Sequence, residues 1–252
     1  MLNPMDMTGR RVMITGASSG IGRETAVLLS QLGANLVLVA RNASRLEETK
    51  SLLEGGDHRV EPFDLEALDD IPSWMRGLGQ EFGTLSGLVH CAGIQMTLPL
   101  RIVTPRQIAK ITNVNLSAAI MLVKGLSQKG VFASSGSVVL MSSIMGLVGS
   151  PARSLYSATK GALIALTKSL ALELAGDGLR VNCVAPAFVD TPMFKDMKNL
   201  LQEEGLAKIE SAHPLRIGRP RDVANAVAFL LADTGRWITG TTLVVDGGYT
   251  AQ

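Results

Sequence analysis

Tyr156-Ser157-Ala158-Thr159-Lys160 places a phenol and an ammonium four residues apart in a stretch of helical character, with Ser143 upstream. Residues i and i+4 share one helix face, so the two groups can meet in a single cleft. A free tyrosine, with a pKa of about 10, is a poor proton donor or acceptor near neutrality. Making it one requires about three pKa units, roughly 4 kcal/mol, from its surroundings. A nearby cation supplies part of that. The pair therefore points to general acid/base chemistry, set against the plain alternative of a solvated helix face.

A second feature lies near the N-terminus. Arg11-Val12-Met13-Ile14-Thr15 reads as a short strand, followed at once by Gly16-Ala17-Ser18-Ser19-Gly20-Ile21-Gly22 and a helical run from Arg23 to Leu32. Strand, glycine turn and helix in succession form a dinucleotide-binding start, in which glycines let backbone approach a pyrophosphate at a helix N-terminus. The spacing is G-x-x-x-G-x-G rather than the usual G-x-G-x-x-G.

These groups need elements to hold them. Short β-rich runs near residues 11–15, 35–40, 58–62, 86–90, 136–142, 179–185 and 242–246 alternate with longer helical patterns. Such alternation predicts a parallel sheet with helices on both faces. Right-handed crossovers make it a Rossmann-type, doubly wound, seven-stranded α/β fold. The 252 residues fit one domain spanning 1–252, and repeats, low-complexity tracts and linkers are not evident. Residues 188–218 interrupt the pattern and are expected to form a substrate lid. The runs 161–174 and 116–126 are apolar on nearly every face, so each must be buried on more than one side. Cover from another subunit predicts a homo-oligomer, with a tetramer favoured over a dimer.

Composition narrows the function. Apolar residues make up 46% and charged residues 18%, and the net charge is only +2. That balance is too weak, and the basic residues too scattered, for a nucleic-acid or membrane-binding surface. Met1 to Gly9 lacks a basic head and an apolar signal core, and no run approaches the roughly 18 residues of a membrane helix. A cytoplasmic protein is expected, with small molecules and copies of itself as partners. Cys91 and Cys183 sit at or in apolar strand-like runs and should be buried, reduced thiols. His58, His90 and His213 lack metal-ligand spacing, so no catalytic metal is expected.

With the glycine turn, Ser143, Tyr156 and Lys160 together, the chain resembles the short-chain dehydrogenase/reductase family in its single-domain form. Further matches run in order along nearly the whole sequence. Asp64, followed by Leu65, resembles the acid that contacts the adenine, and His90-Cys91-Ala92-Gly93 occupies the place of an N-N-A-G turn. Asn115 matches the helix asparagine of the catalytic tetrad. Arg180-Val181-Asn182, Pro186, Val189 and Thr191 resemble the segment beside the nicotinamide, and Val245-Asp246-Gly247-Gly248 matches a C-terminal signature. Two departures tune these motifs: His90-Cys91 replaces two asparagines, and Ala187 stands where a glycine commonly follows Pro186.

The resemblance implies a mechanism. Tyr156 gives its phenolic proton to a substrate carbonyl oxygen as hydride arrives from the nicotinamide. Lys160 lowers the Tyr156 pKa and hydrogen-bonds the nicotinamide ribose. Ser143 hydrogen-bonds the same carbonyl oxygen, while Ser142 points to the opposite side. Asn115 holds a water that passes protons from Lys160 to solvent, against the plainer role of a structural asparagine. Cofactor contacts are implied for Gly16, Ser18, Ser19, Gly20, Ile21, Gly22, Arg41, Asp64, Leu65, Cys91, Ala92, Gly93, Tyr156, Lys160, Pro186, Val189 and Thr191.

The choice of cofactor follows more directly. An NAD site wants a carboxylate at the end of the second strand. Ala40 occupies that position, and Arg41 follows. A guanidinium there can grip a 2′-phosphate through charge-assisted hydrogen bonds worth roughly 1.5 to 3 kcal/mol. NADP(H) is therefore the expected cofactor, with Arg45 and Ser44 assisting.

The substrate pocket is expected to draw on Gln95 and Met96, Ile144 and Met145, Ala187 and Phe188, and Met193, Phe194 and Met197. Substrate contacts are assigned to Gln95, Ser143, Met145, Tyr156, Phe188 and Phe194. This mostly apolar, Met-rich lining suits an acyl chain or another bulky ketone, with Gln95 as the one plain polar handle. A 3-oxoacyl thioester is one specific candidate. The Ser134-Ser135-Gly136 and Gly176-Asp177-Gly178 segments, however, lack the basic residues that would dock an acidic carrier protein. An alternative of another class is a catalytically silent, NADP-binding regulator or scaffold; the intact Asn115, Ser143, Tyr156 and Lys160 set argues against it.

Overall fold

The computed structural model describes residues 3–199 and 203–251. The strands are β1 (Arg11–Thr15), β2 (Asn35–Ala40), β3 (Arg59–Pro62), β4 (Leu85–His90), β5 (Phe132–Met141), β6 (Leu179–Pro186) and β7 (Thr242–Val245). The α-helices between them are α1 (Gly20–Gln31), α2 (Ala43–Lys50), α3 (Ile71–Phe82), α4 (Pro105–Thr112), α5 (Ala118–Leu126), α6 (Ser154–Leu174), α7 (Pro192–Lys198), α8 (Glu203–Ser211) and α9 (Pro220–Leu231). All seven strands join one parallel sheet in the order β3-β2-β1-β4-β5-β6-β7. The chain thus has the doubly wound α/β fold that the alternation predicts.

Strands covered on both faces must be apolar on both faces, which explains runs such as Leu36-Val37-Leu38-Val39 and Val138-Val139-Leu140. Successive side chains enter opposite cores. Val12 and Ile14 pack with Leu36 and Leu38 in one core, beside Leu29 of α1 and Val227 of α9. Met13 packs with Val37 and Val39 in the other, beside Met75 of α3, Leu122 of α5 and Leu163 of α6.

The strand order reverses between β1 and β4. Beyond the carboxyl ends of these two strands lies the crevice where open α/β sheets bind ligands. Both the glycine turn after β1 and Cys91-Ala92-Gly93 just after β4 open into it.

Two local features depart from the sequence pattern. β5 starts at Phe132, earlier than expected, because Phe132 already pairs with Leu85; the register then shifts between Leu85 and Gly87 and leaves Ala133 to Gly136 unpaired with β4, although Gly136 pairs with Leu179 of β6. Those small residues carry no strand periodicity. Between α4 and α5, Asn113–Ser117 forms a π-helical turn, a widening that is frequent at functional sites. The 188–218 insertion contains α7 and α8, with 200–202 outside the described residues. The apolar faces of α5 and α6 are open in the single chain, where Ile120 is 41% and Leu172 84% exposed. Among the described residues no helix is long and apolar enough to cross a membrane.

Candidate active site

Ser142 and Ser143 leave the end of β5 in extended backbone and diverge. Ser142 donates its hydroxyl to the Lys160 carbonyl at 2.7 Å, locking β5 to α6. Ser143 faces the other way, donates to the Pro186 carbonyl at 3.5 Å, caps the turn Ile144–Gly146 by accepting from the Met145 N–H at 3.2 Å, and lines one cleft with Tyr156. The turn packs directly on α6, and a Cβ on Gly146 would lie 2.8 Å from the Gly161 nitrogen.

Tyr156 and Lys160 occupy the first turns of α6 and line one cleft with Ser143. Burial raises the Tyr156 pKa, while the Ser143 hydroxyl and then the Arg153 charge pull it down. Lys160 was expected to supply that charge. Its Nζ donates to the Met141 carbonyl at 2.7 Å and stands 5.6 Å from the Tyr156 ring centroid. The ammonium is thereby anchored to the end of β5, beside the phenol. Burial also lowers the Lys160 pKa to about 8.

Asn115 is fully buried in the π-helical turn. Its carboxamide accepts from the Ile94 N–H at 2.8 Å and donates to the Ile94 carbonyl at 3.0 Å and the Thr159 hydroxyl at 3.1 Å. It therefore ties the end of β4 to α6. A Cβ on Gly93 would stand 3.2 Å from Asn115 Oδ1 and 3.4 Å from Lys160 Nζ, so the two polar groups flank the same glycine.

A larger cleft runs along the switch point. Gly16, Ser18, Ser19, Gly20, Ile21 and Gly22 line it, with Arg41, Asp64, Leu65, Cys91, Ala92, Gly93 and Thr191. Tyr156, Lys160, Pro186 and Val189 line the adjoining substrate cleft, which shares Ile21, Cys91, Gly93 and Thr191 with it. The residues expected at the cofactor thus fall in two connected spaces. Gly16 has φ +69°, and a Cβ on it would meet the Ala92 nitrogen at 2.8 Å. A Cβ on Gly22 would meet the Gly16 carbonyl oxygen at 2.3 Å. The turn is built to bring bare backbone to a ligand, as a dinucleotide requires. Ala40, Arg41 and Arg45 lie at its far end, and neither guanidinium forms an ion pair among the described residues. Ser44, expected to assist, hydrogen-bonds Asn42 at 2.8 Å and does not line the cleft.

The replaced asparagines have a visible substitute. His90 Nδ1 lies 2.9 Å from the Thr15 hydroxyl, which also accepts from the Ala92 N–H at 3.2 Å. Burial lowers the His90 pKa to about 3, so the ring is neutral. Cys91 was expected to be buried but is partly exposed, bordering both clefts. Burial of its thiol group still pushes the pKa up to about 12. Among the described residues no cluster of three or more His, Cys, Asp or Glu could hold a metal.

The substrate cleft contains Gln95, Ser143, Met145, Tyr156, Phe188 and Phe194, together with Ile144, Ala187, Met193 and Met197. Met96, expected here, is not part of the lining. The sequence reading missed Arg153, which also lines the cleft. Its signal was its place three residues before Tyr156, where helical spacing puts both on one face.

Comparison with known proteins adds to this geometry. A family model described as enoyl-(acyl carrier protein) reductase matches residues 16–250. The 3-oxoacyl-(acyl-carrier-protein) reductase of Thermotoga maritima is 33% identical, the alignment covering 97% of this chain and 99% of that protein. The cis-4-hydroxycyclohexanecarboxylate dehydrogenase of Sinomonas cyclohexanicum is 35% identical, with 96% and 97% covered. A crystal structure of a putative NAD(P)-dependent gluconate 5-dehydrogenase from Beutenbergia cavernae, with bound NADP, superposes with a TM-score of 0.91 at 30% identity, covering 99% and 100% of the two chains. The fold, the glycine turn beside its cleft and these full-length relatives agree: the chain belongs to the short-chain dehydrogenase/reductase family and is an oxidoreductase.

Proposed function

We propose that the protein is an NADP(H)-dependent oxidoreductase that interconverts a ketone and a secondary alcohol, with Tyr156 as general acid/base. The observation that carries this reading is that Ser143, Tyr156 and Lys160 line one cleft, which adjoins the cleft of the glycine turn. When bound, the nicotinamide supplies or accepts the hydride. Ser143 and Tyr156 hold the carbonyl oxygen, and Tyr156 delivers its proton there as negative charge develops. Lys160 orients the cofactor ribose, and Asn115 fixes the backbone between β4 and α6. Arg41 and Arg45, with Ala40 in place of an acid, favour a 2′-phosphate and hence NADP(H).

The cleft fits a bulky, largely apolar ketone. The relatives include a reductase of 3-oxoacyl thioesters and a dehydrogenase of a hydroxylated ring acid, and both substrate types fit the reading. The 188–218 segment acts as the lid of a single catalytic domain. The protein works in the cytoplasm as a homo-oligomer, a tetramer in preference to a dimer, through the open faces of α5 and α6.

The test is NADPH oxidation across 3-oxoacyl thioesters, ketosteroids, cyclic ketones and keto-sugars, with Tyr156→Phe alongside. Turnover should fall by about 10²- to 10⁴-fold in the variant while NADPH still binds. A variant as fast as the parent protein would refute the role of Tyr156.

A further inference from the structure

Arg153 is only 8% exposed, yet it has no carboxylate partner among the described residues. Its Nη2 contacts the Met197 sulfur at 2.8 Å, a weak acceptor for a group that carries five N–H donors. Burial lowers its pKa, and the groups that act against burial are the phenols of Tyr156 and Tyr249. A buried ion costs several kcal/mol unless a counter-charge and hydrogen bonds compensate it. The side chain also lines the substrate cleft, three residues before the proton donor, in surroundings that are otherwise mostly apolar. The missing partner can therefore enter with the substrate.

We propose that Arg153 binds a carboxylate of the substrate, which makes the substrate an oxo acid or hydroxy acid rather than a neutral ketone. This rests on the ketone/alcohol reading of the same cleft and specifies its substrate class. The planar guanidinium offers two parallel N–H donors that match a carboxylate. With the acid held there, the carbonyl at the other end of the molecule reaches Ser143 and Tyr156. The apolar wall between the two ends then measures the spacer.

The test compares 3-oxobutyrate, 4-oxopentanoate and 4-oxocyclohexanecarboxylate with their methyl esters, using NADPH and the parent protein, Arg153→Met and Arg153→Lys. The parent protein should prefer at least one acid over its ester in kcat/KM by about ten- to a hundredfold, the worth of a charge-assisted pair. Arg153→Met should abolish that preference, and Arg153→Lys should keep part of it. Equal turnover of acids and esters by the parent protein would overturn the proposal and leave the reductase reading intact. So would an Arg153→Met loss equal for acid and ester, accompanied by a shifted alkaline limb of the pH profile, since Arg153 would then serve only Tyr156. If nothing is reduced, the reductase reading fails for this panel. Calorimetry of cyclohexanecarboxylate with the NADP-loaded protein then decides: binding that weakens at least about tenfold in Arg153→Met supports the anion site, and no binding by the parent protein overturns it.

Discussion

Lys160 Nζ donates to the Met141 carbonyl at 2.7 Å and stands 5.6 Å from the centre of the Tyr156 ring. The ammonium is thus anchored to the end of β5 beside the phenol, whose pKa burial raises and the Ser143 hydroxyl and Arg153 charge lower. Holding a buried ammonium in this way has a thermodynamic signature.

Burial lowers the Lys160 pKa from an ordinary 10.5 to about 8. Between these values the unfolded chain binds more protons than the folded one, so stability rises with pH across that window. Below about pH 8 the penalty on the buried charge is fully present. Lys160→Met removes the titration, so the melting temperature of the parent protein should gain on the variant between pH 7 and pH 10. Parallel melting curves at both pH values would show that Lys160 does not carry a buried charge.

Arg41 should set the cofactor preference. Arg41→Asp replaces a 2′-phosphate partner with a repelling carboxylate and should weaken NADPH binding by about ten- to a hundredfold, while NADH binding holds or improves. Fluorescence titration of both cofactors reads the change. An unaltered NADPH dissociation constant would return Arg41 to an ordinary surface residue.

The glycine turn should tolerate no methyl at Gly22. An alanine Cβ would stand 2.3 Å from the Gly16 carbonyl oxygen, and backbone must move to admit it. Overpacking of this kind costs about 1 to 3 kcal/mol. Gly22→Ala should lower the melting temperature and NADPH affinity, whereas Gly149→Ala, with nothing within 4 Å of its added methyl, should change neither.

Leu172, 84% exposed on α6, reports on self-association. Light scattering at micromolar concentration should give an oligomeric mass for the parent protein and a smaller one for Leu172→Glu, in which a charge enters the proposed contact. A monomeric parent protein would refute the homo-oligomer.

The sequence by itself determined the sheet and the glycine turn, because both rest on local patterns. Continuous apolar runs such as Leu36 to Val39 read as strands buried on both faces, and their alternation with helices left one class of fold. Tyr156 and Lys160 were legible because helix periodicity places them on one face. Tertiary structure decided what those groups touch. Lys160 turned to the Met141 carbonyl because the end of β5 lies within its reach, a contact no spacing encodes. The role of Asn115 in holding Ile94 depended on a π-helical turn whose widening leaves no mark in hydrophobic period. Arg153 looked like any arginine at a helix start; only the tertiary structure set its guanidinium against Met197 of α7 and in the lining of the substrate cleft.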